Sequence, residues 1–499
     1  MKTTIKNKIV SAFAFLSLCI AGTGCDKHFE ELQENPNAPD QSAPINILQS
    51  IIKDSWEGPW TLAQRHNQYY VSTYIVYDDQ NYLLGEYSMN YRTLCDIAAM
   101  EKEAERLNTE ESKQFIPIAK FFKAFFYVRM TERLGDIPMS EAVQGEQGNF
   151  TPKYDSQKDV YLNCLQLLEE ANAEIAQYIQ TGSALTNDLY FNGNLAKWQK
   201  AINTFRIRVL MSLSKRNDEM NVAEEIKRIV NDPVKYPIME SIDDNMQITY
   251  YGGADDKYTL YPDEGGKTAT IYFIGETYVS ILRKTKDPRI FRQMVPGKAC
   301  NPDDPNRLTN FDSYVGGVTG EAIEALQQQG SEGKLAGINS ETYITPTGLP
   351  CTQLGYQELQ FTLAEAANRG WIEGNAEEYY KNGILADMEF YGVSQQESEE
   401  FLQGKEVAYK GNNEEGLKQI REQKYVSLFQ NSGYQAFFEQ RRTGVPEFSV
   451  GEGNANGKIP VRWMYPTSER QYNGENLQEA LQRQFNGSDD INDIMWLIK

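Results

Sequence analysis

The sequence predicts a mainly α-helical protein, built of tetratricopeptide-like helical hairpins with a large loop-rich insertion and minor β structure. Two observations carry this prediction. Apolar residues recur at three- and four-residue steps in paired segments, and residues 232–350 are rich in Gly, Pro, Asp and Tyr with little helical period. The chain has 499 residues, 40% of them apolar, which is ample for a large packed core.

The first 24 residues have the features of a secretory signal peptide. Three lysines precede an apolar stretch, and small residues come directly before Cys25. This order is typical of a bacterial lipoprotein, so Cys25 is expected to be lipidated; a plain signal peptide cleaved nearby is the alternative. Residues 25–44 are then a lipidated tether, and residues 45–499 a single helical domain without the roughly 20 apolar residues needed to cross a bilayer.

Four helix pairs follow along the chain. Helical hairpins of this kind stack to bury their apolar faces, as in tetratricopeptide arrays, although the repeat signature itself is not kept. The second helix of the first pair is apolar on several sides and is expected to end at Gly135. The pairs are 94–107 with 115–134, 160–179 with 198–209, 357–369 with 376–391, and 414–431 with 434–441.

Composition excludes several functions. A formal charge of −21 without a basic run argues against nucleic acid as a partner. Only two histidines, His28 and His66, are present, and His28 lies three residues past Cys25 in the expected tether, so no two-histidine metal site is expected. No metal and no cofactor are expected, and the 70 acidic residues make any single carboxylate pair uninformative about glycoside cleavage.

Two further motifs are interpreted as loops. Gly265–Thr268 lacks the first glycine of a phosphate loop, and Asn486–Asp493 lacks the spacing of a calcium loop, so capping or solvation is preferred for the latter. Four cysteines remain in the mature chain beyond Cys25. Cys95 and Cys164 are expected to be buried thiols in helices, and if one disulfide forms, it is expected between Cys300 and Cys351.

An aromatic cluster in residues 56–91 suggests a sugar-binding site. Ring faces stack on the apolar face of a sugar, while carboxylates and amides bind its hydroxyls. The alternative for the tyrosines is a helical core stripe, since Tyr70, Tyr74 and Tyr77 fall on one face. The candidate ligand-binding residues are Trp56, Trp60, Tyr74, Tyr77, Asp78, Asp79, Asn81 and Tyr82, and a reserve set is Tyr250, Tyr251, Tyr258, Tyr261 and Tyr272.

Several motifs, spread over nearly the whole chain, occur in an order that chance does not explain. They are Phe29–Asn37, Arg133–Pro138 (RLGDIP), Lys197–Arg208 (KWQKAINTFRIR), Ala364–Gly370 (AEAANRG), Glu422–Phe429 (EQKYVSLF), Arg441–Pro446 (RRTGVP), Pro460–Pro466 (PVRWMYP) and Glu469–Asn473. With these motifs the chain resembles the SusD/RagB family of outer-membrane nutrient-binding lipoproteins of Bacteroidetes. The Arg and Glu residues of the motifs are expected to form interior ion pairs and helix caps, not ligand contacts.

The resemblance implies a lipid-anchored protein on the outer face of the outer membrane, touching the membrane only through its N-terminal lipid. Such proteins form a lid over a SusC-like TonB-dependent transporter and deliver captured nutrient to it. The resemblance implies no catalysis and carries over no individual ligand residue. The sequence therefore predicts a glycan-binding protein; the alternatives are an oligopeptide-binding protein of the same uptake system and, from a different class, a surface glycosidase.

Overall fold

The computed structural model describes residues 42–499 except 75–81, 83, 183–184, 186, 263–269, 453 and 455–456. The predicted signal peptide, Cys25 and nearly all of the tether lie outside the described residues. Residues Pro44–Lys499 form one unit. Within the described part of the chain, no helix is both long enough and apolar enough to cross a membrane.

Helices dominate this unit, as predicted. Those of eight or more residues among the described residues are α1 (Pro44–Ser55), α2 (Tyr91–Leu107), α3 (Phe115–Leu134), α4 (Gln157–Gln180), α5 (Leu195–Ser212), α6 (Val222–Val230), α7 (Glu276–Thr285), α8 (Ile323–Ser331), α9 (Tyr356–Asn368), α10 (Ala376–Phe390), α11 (Gln395–Leu402), α12 (Glu414–Ser427), α13 (Gln435–Thr443) and α14 (Gly474–Phe485). Shorter helices are Leu62–His66, Glu110–Lys113, Asn217–Met220, Ile290–Gln293, Ser340–Tyr343 and Thr467–Tyr472.

The first three predicted helix pairs are confirmed and pack as hairpins. Helix α3 lies along α2 and α4, α4 lies along α5, and α9 lies along α10. Helix α3 is buried on nearly every side and ends at Gly135 as predicted. Gly135 has a φ of +97°, and a Cβ there would lie 2.1 Å from Gln484 Oε1, so only glycine fits.

The fourth pair differs from the prediction. Helices α12 and α13 both form, but α12 packs mainly on α9 and α10, whereas α13 packs on α5. The connection between them contains Gln430, Ser432 and Gly433, all with positive φ, which turns the chain sharply after Phe429. This turn carries aromatic side chains into the core and prevents a simple helical hairpin.

Short strands confirm the predicted minor β structure. The antiparallel order β1–β3–β5–β4 is formed by β1 (Tyr70–Ser72), β3 (Tyr272–Ile274), β5 (Gly337–Ile338) and β4 (Met294–Val295), while β2 (Met246–Ile248) pairs with β6 (Cys351–Leu354). In the first ladder Tyr70 lies opposite Ile274 and Ser72 opposite Tyr272. The loop-rich insertion therefore supplies three of the four strands in this sheet. It also contains α7 and α8, which the sequence analysis did not predict because both helices are short.

The cysteine expectations are only partly met. Cys164 is fully buried, and burial raises the pKa of its thiol above the usual range. Cys95 is exposed, against expectation. Cys300 and Cys351 are free thiols: Cys300 Sγ lies 3.1 Å from Lys334 O, and Cys351 begins β6, buried with Sγ 3.5 Å from Glu57 O. The pairing of these two cysteines is therefore wrong in this structure.

Interior ion pairs join the helices, as expected for the motif residues. Glu365 of α9 accepts two hydrogen bonds of 2.8 Å from Arg442 of α13. Arg369 and Arg421 also lie within 3.3 Å of the same carboxylate. Burial raises the pKa of Glu365, but the three guanidinium groups more than offset this, so the net pKa is well below the usual range. One carboxylate thus joins α9, α12 and α13.

A second interior pair explains the acidic segment 486–493. Asp489 Oδ1 lies 2.7 Å from Nη2 of Arg462, a side chain with no exposed surface. The Arg462 guanidinium also stacks over the Phe485 ring at 4.4 Å. Asp489 therefore compensates a buried cation, in line with a structural role for this segment.

Candidate functional site

The two aromatic sets that the sequence singled out lie against each other in space. The Trp60 indole N–H donates to Tyr258 Oη at 2.9 Å. The Tyr70 and Tyr272 rings have centroids 4.7 Å apart, and those of Trp56 and Tyr250 are 6.2 Å apart. Edge-to-face and tilted ring contacts at these distances are favourable. Members of the two sets therefore pack together in one aromatic cluster, which joins the segment after α1 to the loop-rich insertion.

Some members of this cluster are core residues. Trp60 is 5% exposed and makes edge contacts with Tyr70, Tyr343 and Phe429. Tyr82 is 1% exposed, and its hydroxyl donates to His66 O at 2.7 Å. Burial raises the pKa of the Tyr82 phenol above the usual range. Neither ring faces solvent, so Trp60 and Tyr82 are core residues, as is fully buried Tyr70. The helical stripe of the alternative is wrong for Tyr70 and Tyr74, because Tyr70 lies in strand β1 and Tyr74 is half exposed.

Other members reach the surface. Tyr74, two residues beyond β1, is 47% exposed, and Tyr251 is 81% exposed. Trp56 and Tyr261 are half-buried. The remaining candidates Tyr77, Asp78, Asp79 and Asn81 lie outside the described residues, so their part in the site stays a prediction. The sequence analysis ranked Tyr251 only in the reserve set, although its adjacent Gly252–Gly253 is the signal of a turn that could expose a ring.

Tyr251 lies on a tight turn that is stabilised by two hydrogen bonds to Asp256. Its N–H donates to Asp256 Oδ2 at 2.9 Å, and the Gly252 N–H donates to Asp256 O at 2.8 Å. The preceding Tyr250 is 7% exposed and packs against both Trp56 and Tyr258. The turn therefore presents one ring to solvent while its neighbour is anchored in the aromatic cluster.

The turn that carries Trp56 and Trp60 is also fixed from several sides. The Trp60 N–H donates to Gln430 Oε1 at 2.6 Å, and the Glu57 N–H donates to Gln353 Oε1 at 3.0 Å. Arg133 of α3 donates to Glu57 Oε1 at 2.8 Å. Burial raises the pKa of Glu57, but Arg129 and Arg133 outweigh it, so the net pKa is lowered and the carboxylate stays charged. The turn that carries Trp56 and Trp60 is thus bound to helix α3 through Glu57.

The described residues contain no group of three or more His, Cys, Asp or Glu side chains placed to hold a metal ion. What this face does offer is ring surface beside polar groups, namely Tyr251 next to Asp255 and Asp256. Such a surface can bind a ligand that has both an apolar face and hydroxyl groups. It is the candidate binding face.

Comparisons with known proteins agree with this description. The model of the SusD-like family, described as starch-binding and associating with the outer membrane, matches residues 36–466. The fold and the family model together define a nutrient-binding protein of the bacterial surface rather than an enzyme. The chain belongs to the SusD-like family. Among curated protein sequences, none matches this chain.

Solved structures of the same family superpose over nearly the whole chain. A SusD homologue from Bacteroides fragilis is 29% identical with a TM-score of 0.85, and a second from that species is 31% identical with a TM-score of 0.80. An outer membrane protein from Bacteroides vulgatus is 29% identical with a TM-score of 0.82. Each comparison covers 92% of this chain and 100% of the other. A chitin-binding SusD homologue from Flavobacterium johnsoniae, at 21% identity and a TM-score of 0.71, shares the fold.

Proposed function

We propose that this protein is a cell-surface lipoprotein that captures oligosaccharides and delivers them to a SusC-like TonB-dependent transporter in the outer membrane. The observation that carries the ligand class is the exposed Tyr251 ring on a hydrogen-bonded turn, whose neighbouring Tyr250 packs against half-buried Trp56. Rings fixed in this way stack on sugars with little loss of side-chain entropy. The family description as starch-binding and the chitin-binding relative support a glycan over a peptide.

Within this proposal the described residues divide into two roles. Tyr74, Tyr251, Tyr261 and Trp56 contact the sugar, while buried Trp60 and Tyr82 support them from the core. Tyr77, Asp78, Asp79 and Asn81 stay proposed contacts for sugar hydroxyls. An oligopeptide ligand remains the second candidate, favoured by the net charge of −21 if the peptide is basic.

The test is calorimetric titration of residues 26–499 with a panel of plant, microbial and host oligosaccharides and with mixed oligopeptides. Each mixture is checked for cleavage products afterwards. We expect saturable binding of one sugar class and no cleavage. Binding confined to peptides would show that the ligand is an oligopeptide and not a glycan. Cleavage products would show that the protein is a glycosidase.

Tyr251→Ala is expected to weaken binding of that sugar by about 2- to 13-fold, because one stacked ring contributes roughly 0.5–1.5 kcal/mol. The matched control is Tyr472→Ala, since Tyr472 is 76% exposed and follows Glu469 near α14, outside the aromatic cluster. Calorimetry on both variants measures the difference. Equal affinities for wild type and Tyr251→Ala would remove Tyr251 from the site.

Cys25→Ser is expected to release the protein from the membrane fraction, because the variant cannot accept the lipid and the rest of the chain is proposed to have no other anchor. The measurement is the distribution of the protein between washed membranes and the soluble fraction of cells that express it. The control is Cys95→Ser, which removes an exposed thiol far along the chain. Retention of Cys25→Ser in the membranes at the wild-type level would contradict the lipoprotein assignment.

A further inference from the structure

Glu132 of α3 borders two small cavities that are lined by residues of α3, α5 and α13. The larger is about 50 Å³ and is also lined by Glu57, Arg208 and Ser432. The smaller is about 10 Å³ and lies toward Arg441. Together they have room for a small cluster of water molecules, since one water needs roughly 10–15 Å³. Glu132 is 7% exposed, and the arginines that line these cavities, Arg129, Arg133, Arg208 and Arg442, form their ion pairs with other carboxylates.

The cations around Glu132 already have other acceptors. Arg133, on the same helix, donates to Glu57, and Arg208 of α5 pairs with Glu358. Arg441 of α13 donates through Nη1 to two backbone carbonyls, while its Nε is buried with no hydrogen-bond partner among the described residues. Glu132 and a buried guanidinium N–H without a hydrogen-bond partner thus line the same cavity.

Two further cations line these cavities, Arg129 of α3 and Arg442 of α13, and both are paired with other carboxylates. The remaining titratable groups facing Glu132 are acidic or neutral. Glu439 comes from α13, Glu57 from the turn after α1, and the Tyr161 phenol from α4. Burial raises the pKa of Glu132 to about 7, although Arg441, Arg133 and Arg208 act in the opposite direction. The geometry explains this direction, because none of the three guanidinium groups is close enough to bond the carboxylate.

We propose that the cavity around Glu132 is a hydrated proton-binding site, in which the protonated carboxyl group is the form that fits the packed helices. When Glu132 ionises, the buried charge has no direct partner and competes with Glu57 for Arg133. That competition acts on the turn carrying Trp56 and Trp60. Protonation of Glu132 therefore affects the packing of α3, α5 and α13 and the turn that carries Trp56 and Trp60.

The sign of the effect follows from linkage. The folded state holds the Glu132 proton more tightly than the unfolded chain does, so the contribution of this group to stability is full at low pH and is lost as pH rises to about 7. This one group lowers the folding equilibrium constant by about two orders of magnitude across that interval. Asp136 and Asp387, whose pKa values burial raises to about 6, act in the same direction. The diagnostic quantity is therefore the difference between wild type and Glu132→Gln.

The experiment is urea unfolding of residues 26–499 from pH 5 to pH 8.5 for wild type, Glu132→Gln and Glu174→Gln. Glu174 is a half-buried acid on α4 whose carboxylate lies 2.5 Å from Lys120 Nζ, which makes it a matched control. Glu132→Gln keeps the shape of the side chain without its charge. We expect it to remove a large part of the wild-type loss of stability between pH 5 and pH 8, and the control variant to keep that loss.

A second measurement does not depend on folding energies. The infrared spectrum of the folded wild type at pH 6 is expected to contain a protonated carboxyl band that Glu132→Gln lacks and that disappears by about pH 8. Identical pH profiles of stability for wild type and Glu132→Gln would overturn the proposal. So would a difference spectrum showing Glu132 already ionised at pH 6.

Discussion

Trp60→Ala is expected to lower the free energy of unfolding by about 3–5 kcal/mol, the usual cost of removing a large aromatic side chain from a core. Trp60 is 5% exposed and contacts Tyr70, Tyr343 and Phe429 with ring centroids 5.2–5.9 Å apart. The truncation also leaves the buried Tyr258 hydroxyl without the indole N–H that binds it at 2.9 Å. The measurement is urea unfolding of residues 26–499.

Two variants separate the causes. Trp60→Phe keeps a ring but removes the N–H donor, so it is expected to lose only about 1–3 kcal/mol. Tyr472→Ala removes a ring that is 76% exposed and is expected to change stability by about 0.5 kcal/mol or less. A loss below about 1 kcal/mol for Trp60→Ala would contradict its core position. If Trp60→Ala also weakens sugar binding, the folded fraction must be corrected first, because Trp60 is proposed to act through the packing of its neighbours.

Glu365→Gln is expected to lower the free energy of unfolding by about 3–5 kcal/mol, because it leaves buried cations without their counter-charge. The Glu365 side chain is 1% exposed, and Arg442, Arg369 and Arg421 all lie within 3.3 Å of its carboxylate. The same urea experiment at pH 7 measures the loss. Because the net pKa of Glu365 is well below the usual range, its contribution is present at neutral pH and declines as pH falls through the acid range.

The matched control is Glu377→Gln on α10. Glu377 forms an ion pair of 2.7 Å with Lys381 one turn away, but both side chains are at least 40% exposed. Exposed pairs contribute about 0–1 kcal/mol because solvent screens them. Equal losses for the two variants would show that burial of the Glu365 cluster has no energetic consequence.

The helices were the most predictable part of the fold. Phe115–Leu134 was predicted to the residue, since its apolar period and Gly135 are local signals that need no knowledge of the tertiary structure. The stacking of α12 and α13 was not predictable, because their positions depend on a turn with consecutive positive φ values that admits aromatic side chains to the core. The short helices α7 and α8 were missed for a related reason, since a helix of about ten residues carries too few periodic positions.

The residue types of the candidate site could be predicted from the sequence, but their contacts and exposure could not. The sequence identified two aromatic sets without showing that they touch. Trp60 and Tyr258, which form the central hydrogen bond, are 198 residues apart in the chain. The cysteines show the same limit: Cys300 and Cys351 both follow loop-like segments, yet their thiols face different backbone carbonyls.

The sequence by itself determined the helical class and the family, because periodicity and motif order are properties of the chain. Only the tertiary structure decided which rings face solvent. Trp60 and Tyr251 have similar chemistry, but one lies in the core and the other on an exposed turn. Burial depends on contacts between segments far apart in sequence, and no local pattern encodes them. The position of Glu132 beside two cavities also depends on such contacts, and we propose it as the proton-binding site because the surrounding arginines pair with other carboxylates.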